Sequence, residues 1–130
     1  MLYLDTSAMV KLVRTESETN QLRQVVAAQP LVSCDIAITE IHRTLARYRD
    51  VPGHARADAL LDVTGLVAVN RALLVRASRL LPAILRSLDA LHLAAALLVA
   101  SELSALVTYD ARLAEAARRN GLEVWSPGAA

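Results

Sequence analysis

Four carboxylates in this 130-residue chain stand in places that call for explanation. Asp5 follows Leu2-Tyr3-Leu4 and Asp110 follows Val107-Thr108-Tyr109, so each ends a run of strand length. Glu40 lies between Ile38 and Ile41, and Asp89 between Leu88 and Leu91, inside otherwise apolar helical faces. A buried, ionised carboxylate is costly, so it must be neutral, paired or bound to a metal. Each acid also has an ordinary reading. A strand-end Asp can cap the next helix, Glu40 can pair with Arg43 at i+3, and Asp89 can favour a helix dipole. Four anions in one pocket would raise one another's pKa values unless a cation neutralised them. An all-oxygen set with room for water suits Mg²⁺ or Mn²⁺ better than Zn²⁺. An ion held this way polarises a phosphoryl oxygen and lowers the pKa of an attacking water, which is the chemistry of phosphodiester hydrolysis.

Whether the acids meet depends on the elements that carry them. Leu2 to Asp5, Leu31 to Cys34, Leu66 to Val69, Ala105 to Tyr109 and Glu123 to Trp125 read as five short apolar strands. Between them lie helical segments: from Thr6 or Ser7 as cap through Val13, Ser17 to Gln29, Ile36 to Tyr48, and Ala55 to Val63 ended near Gly65. Ala72 to Leu81 stopped by Pro82, Leu88 to Leu103, and Ala111 to Arg119 complete the set. Ile38, Ile41, Leu45 and Tyr48 have helical spacing, Leu22, Val25 and Val26 form an inner face, and Pro52-Gly53 reads as a break. The segment from Leu88 is apolar nearly all round and is expected to be buried. The alternation implies an α/β fold of three layers, α/β/α, with a five-stranded parallel sheet buried on both faces. Residues 1–127 form one domain on this reading, with 128–130 as a frayed tail. Ligands bind such sheets at the carboxyl ends of the strands, where Asp5 and Asp110 fall.

Composition narrows the class. Ala and Leu supply 47 residues, so the core should be largely helical and closely packed. Apolar residues reach 55%, which excludes intrinsic disorder. A net charge of +1 gives no overall drive towards nucleic acid, although 13 of the 14 basic residues are Arg. The single cysteine, Cys34, excludes an internal disulfide framework and fits a reducing compartment, so a cytoplasmic location is expected. The N-terminus lacks a basic region, and the run around Leu91 to Ala100 is too short to span a bilayer. No membrane association is expected.

At the acids the sequence becomes recognisable. Leu4-Asp5-Thr6-Ser7-Ala8, Thr39-Glu40-Ile41-His42-Arg43, Leu88-Asp89-Ala90-Leu91-His92-Leu93-Ala94-Ala95-Ala96 and Val107-Thr108-Tyr109-Asp110 resemble the motifs of PIN-domain ribonucleases. Within that family they are most similar to the VapC toxins of bacterial toxin–antitoxin pairs. The resemblance spans essentially the whole chain, with the motifs in order and at family-like spacing. It implies a Mg²⁺-dependent endoribonuclease acting on single-stranded or loop RNA, a homodimer, and a VapB-type antitoxin whose C-terminal segment covers the acidic pocket. It carries Asp5, Glu40, Asp89 and Asp110 over as catalytic acids.

Asp5 and Asp89 are the first choice for metal ligands, Asp110 supports the metal or its water shell, and Glu40 completes the shell or orients the attacking water. Ser7 and Thr108 have hydroxyls beside strand-end acids and either cap a turn or touch a metal-bound water. Arg43 and Arg47 share a face with Glu40 and either grip a phosphate or neutralise the pocket. His92, one turn from Asp89, reads as a satisfied histidine on an apolar helix, with the pocket rim as the other reading. His42 and His54 have no zinc-ligand spacing, and Trp125 reads as packing. Leu60, Leu61, Leu73 and Leu74 either face a dimer partner or pack on the sheet. A dehalogenase-type phosphatase would need a second Asp at Ser7, and a nucleotide-binding fold a Gly-rich turn, which the four glycines do not form. The rival from another class is a non-catalytic PIN-like RNA-binding or protein-interaction module.

Overall fold

A computed structural model of the chain describes residues 1–129. In chain order the elements are β1 (Leu2–Leu4), α1 (Thr6–Val13), α2 (Thr19–Val26), β2 (Leu31–Cys34), α3 (Ile36–Arg47) and α4 (Val51–Asp62). There follow β3 (Thr64–Val67), α5 (Arg71–Ser78), α6 (Ser87–Leu98), β4 (Ala105–Val107), α7 (Ala111–Arg119) and β5 (Val124–Trp125). A 3₁₀ turn, Ala100–Glu102, separates α6 from β4. The five strands pair in the order β3-β2-β1-β4-β5, all parallel. Three layers and a five-stranded parallel sheet are thus what the alternation implied.

Side-chain alternation builds a core on each face of the sheet. Leu2, Leu4, Ala105 and Val107 point to one side, against Ala8, Met9, Leu22, Ile41, Leu45 and Ala57 of α1 to α4. Tyr3, Val32 and Leu106 point to the other, against Leu73, Leu93, Leu113 and their neighbours on α5 to α7. The chain winds outward from β1 to β3 with its helices on one face, then crosses back to β4 and β5 with helices on the other. Crossovers of constant hand require that change of face when the direction of winding reverses. The reversal point lies between β1 and β4, and Asp5 and Asp110 follow those two strands.

Several boundaries differ from the sequence reading. Pro52 and Gly53 do not break the chain but sit in the first turn of α4, where proline's fixed φ suits a helix. Asp50 caps that helix by accepting from the Gly53 amide, and its carboxylate also binds Arg14 and Arg56. β3 begins two residues earlier than expected and contains Gly65. The buried stripe of α3 is Ala37, Ile41 and Leu45, whereas Ile38 and Tyr48 are exposed. Tyr48 lies under the Arg14 guanidinium, 4.2 Å from ring centre to Cζ, rather than in the core. α6 ends at Leu98, and only Ala90 to Ala96 are buried, with Leu88 and Leu98 exposed. Leu73 is buried, Leu60 and Leu61 are half-buried against the core, and Leu74 is exposed. At the end of the chain Gly128 and Ala129 turn back so that the Ala129 amide donates to Ser126 O; Ala130, the rest of the expected tail, lies outside the described residues. Among the described residues no helix is long and apolar enough to cross a membrane.

Burial confined to the middle of α6 has a measurable signature. Leu93→Ala, at a fully buried position, should cost about 2–5 kcal/mol in a urea titration. Leu98→Ala, on the same helix and half exposed, should cost less than about 1 kcal/mol. Equal costs would mean that α6 is buried all round.

Candidate active site

Asp5 is the best-anchored of the four acids. It stands one residue past β1, is 4% exposed, and caps α1 through Oδ1, which accepts from the Ala8 amide at 3.0 Å. The cap is therefore Asp5 itself, not Thr6 or Ser7. Ser7 Oγ donates to the same oxygen at 2.7 Å, and Thr108 Oγ1 donates to Oδ2 at 2.6 Å. Both hydroxyls tie the β4 loop to Asp5, because Ser7 Oγ accepts from the Tyr109 amide and Thr108 Oγ1 from the Asp110 amide. They act on the acid, and through it they fix the loop that carries Asp110. Burial pushes the Asp5 carboxyl above the usual range, more than the bonds from Thr108, Ser7 and the Ala8 amide pull it down.

Asp110 caps α7, with Oδ1 accepting from the amides of Arg112 at 2.9 Å and Leu113 at 3.0 Å. The capping reading of both strand-end acids is correct, and it does not compete with their place in the pocket. Each cap uses only part of a carboxylate. Asp110 Oδ2 has no hydrogen-bond partner among the described residues, and Asp5 Oδ2 keeps a lone pair beyond the Thr108 bond.

Asp89, in the first turn of α6, has neither oxygen engaged among the described residues. It is half-buried, and burial raises its pKa, with the charges of Asp110, Asp5 and Glu40 adding to the rise. Asp89 is thus close enough to Asp110, Asp5 and Glu40 to feel their charges. Asp89 and Asp110 line a cavity of ≈ 300 Å³ together with Arg86, Ala111 and Arg112. Arg86 and Arg112 form no ion pair among the described residues. Nothing in a chain with 13 arginines marks these two before the fold brings them together.

Glu40 reaches the centre from α3, on the opposite face of the sheet from α6. Arg43, on the next turn of α3, is not its partner. Oε1 instead accepts from Thr6 Oγ1 at 2.7 Å and from His92 Nε2 at 2.7 Å. Burial works to raise the Glu40 pKa, but the bonds from His92 and Thr6 outweigh it and the group is held below its ordinary value. His92 is 2% exposed, and its Nδ1 lies 2.7 Å from Tyr3 Oη. It is the satisfied histidine of an apolar helix, and what satisfies it is a site acid. Arg47 bonds Thr44 within α3. His42 and His54 stack on each other with Nδ1 atoms 2.7 Å apart, and His42 Nε2 meets Asp58 at 2.8 Å, so neither is bonded to the acids. Trp125 is half-buried on the edge strand and donates to Glu123.

The donor set is all oxygen, in carboxylates that carry unused lone pairs. Among the described residues no three His, Cys, Asp or Glu side chains are grouped closely enough to enclose a metal ion. Mg²⁺ needs no such cage, since it keeps several waters and takes one or two carboxylates. The chemistry of the residues fits that ion.

Comparison with known proteins gives the family. The PIN domain model matches residues 2–119. Ribonuclease VapC47 of Mycobacterium tuberculosis is 42% identical over 134 aligned residues, covering 99% of this chain and 98% of its own. Among solved structures, M. tuberculosis VapC20, described as a sarcin-ricin loop cleaving toxin, superposes with a TM-score of 0.73 at 16% identity, covering 94% of this chain and 96% of its own. VapBC2 from Rickettsia felis, solved bound to a DNA fragment from its promoter, gives a TM-score of 0.66 at 17% identity, with 96% and 98% covered. Fold, motifs and full-length identity agree: the chain belongs to the PIN-domain family, among its VapC-type ribonucleases.

Proposed function

We propose that this ribonuclease is a Mg²⁺-dependent endoribonuclease, able to use Mn²⁺, that cuts single-stranded or loop RNA in the cytoplasm and is neutralised by a VapB-type antitoxin. One observation carries the reading. Asp5 and Asp110 follow the two strands at the reversal point, Asp89 shares a cavity with Asp110, Glu40 is tied to Thr6 and His92 beside them, and each acid keeps at least one oxygen not saturated by the protein. Asp89, unpaired, and Asp5, whose charge burial disfavours, are the ligands; a cation relieves the cost that both pay when ionised. When bound, the ion polarises the phosphoryl oxygen and lowers the pKa of its water. Asp110 Oδ2 and Glu40 Oε2, neither with a protein partner among the described residues, would hold and orient water at the site, Glu40 the water that attacks phosphorus. Arg86 and Arg112, on the rim beside Asp89 and Asp110, hold the flanking phosphates and offset the negative charge that would repel RNA.

Asp89→Asn keeps the shape of the side chain and removes its charge. RNA cleavage should fall at least about a hundredfold. The metal-free protein should melt at a higher temperature, because a carboxyl whose pKa is raised on folding costs stability at neutral pH. Full activity, or activity indifferent to a chelator, would overturn the mechanism.

The same shifts set a pH dependence. Asp5 and Asp89 must be ionised to bind a cation, and both lose their charge at a higher pH than ordinary carboxylates do. Calorimetric titration with Mn²⁺ should therefore show affinity falling as pH drops, with the onset above the usual carboxylate range. Affinity held constant down to that range would contradict the assigned ligands.

The antitoxin's C-terminal segment, on this reading, inserts an Arg or Lys among the acids in place of the metal. Its inhibition should weaken as Mg²⁺ is raised; inhibition independent of Mg²⁺ would remove the competition. The chain acts as a homodimer, for which the exposed Leu74, Val75, Leu81 and Ile84 around the α5–α6 connection offer an apolar surface. Light scattering of the chain alone should give twice its mass of 14.0 kDa at micromolar concentration, and a monomer would exclude the dimer.

A further inference from the structure

Glu40 is the one site acid whose main anchor lies outside its own face of the sheet. Its Oε1 takes two donors, Thr6 Oγ1 and His92 Nε2, while Oε2 has no partner among the described residues. His92 is held in turn by Tyr3, which is fully buried in the central strand. A buried O–H needs an acceptor, and Tyr3 Oη lies 2.7 Å from His92 Nδ1. An ionised carboxylate only accepts, so His92 Nε2, 2.7 Å from Glu40 Oε1, carries a proton. With the phenol donating to Nδ1 rather than to Ser33 Oγ, which itself donates to Leu4 O, that nitrogen is bare. The bonds then run from Tyr3 to His92 to Glu40.

We propose that Tyr3 and His92 are positioning residues for the nuclease reaction, acting only through Glu40: they lock the Nε2–H tautomer that pins Oε1 and leaves Oε2 as the working oxygen. This rests on the reading that the acid pocket cuts RNA. Neither residue touches substrate or water. The ring anchors the carboxylate through a single N–H from a position that is 2% exposed. It also reaches across the carboxyl end of the sheet, from α6 to an acid on α3.

Two measurements test the proposal on the full chain. In ¹⁵N-histidine-labelled protein at pH 7, the His92 ring should show a protonated Nε2 and an unprotonated Nδ1, and Tyr3→Phe should disturb that pattern. An imidazolium or an Nδ1–H tautomer in the wild type overturns the proposal, whatever the activity. In cleavage of a single-stranded RNA oligonucleotide with Mn²⁺, His92→Leu should lower kcat about ten- to a hundredfold with KM nearly unchanged, and His92→Gln, which can both accept and donate, should recover part of the loss. Placed on Glu40→Gln, His92→Leu should cost less than about threefold, since its only route of action is gone. Equal losses in both backgrounds, or full activity of His92→Leu, overturn the positioning role. Asp89→Asn run alongside separates the two claims. If it cleaves normally, or if the wild type cuts no RNA, the reading of the pocket fails; if it is inactive while His92→Leu is not, only the positioning role fails.

Discussion

Like charges repel, and every other feature of this site is arranged around that fact. Asp5, Glu40, Asp89 and Asp110 lie about one end of the sheet, and no Lys or Arg forms an ion pair with any of them among the described residues. The protein restrains them with dipoles instead. Hydroxyls of Ser7, Thr6 and Thr108, amides of Ala8, Arg112 and Leu113, and the His92 ring point hydrogens at Asp5, Glu40 and Asp110. Dipoles orient a carboxylate without cancelling its charge, so the residual negative potential stays available to a divalent ion. Asp89 receives no such help and keeps the greatest freedom to bind.

The reversal of winding direction at β1 and β4 makes this gathering possible. Helices α3 and α6 belong to opposite layers and would otherwise be separated by the full thickness of the sheet. At the carboxyl edge that separation ends, and a side chain from each layer can bend over the strand termini. The Glu40 to His92 bond, 2.7 Å long, joins the layers there. That edge is also where open α/β sheets bind ligands.

The sequence displayed the four acids, the strand–helix alternation and the parallel sheet, because each is a local pattern of residue type and period. It did not display the partners. Glu40 meets His92, 52 positions away, and His92 meets Tyr3, 89 positions away, on elements that become neighbours only after winding is complete. Arg43, by contrast, lay at helical spacing and suggested a pairing that the fold does not use. Short elements also blurred their edges. Four apolar residues have too few periods to fix a register, so β3 was read two positions late. A Pro-Gly pair signals a turn or a first helical turn equally well, and the Asp50 cap that decides between them lies just upstream.

Asp5 and Asp110 each do two jobs, anchoring a helix and contributing an anion. Asp89 and Glu40 cap no helix. The distinction shapes how a substitution can silence the site. Replacing either capping acid with Ala frees orphan amides at a helix start, costing about 1 kcal/mol, so inactivation there also erodes the fold. Loss of charge at Asp89 carries no such penalty, because burial already disfavours that charge, whereas at Glu40 it weakens the anchor of the buried His92 and of Thr6. Where the site is lost and the fold is kept, a change at Asp89 is the accessible route, and the caps should be the last acids to vary.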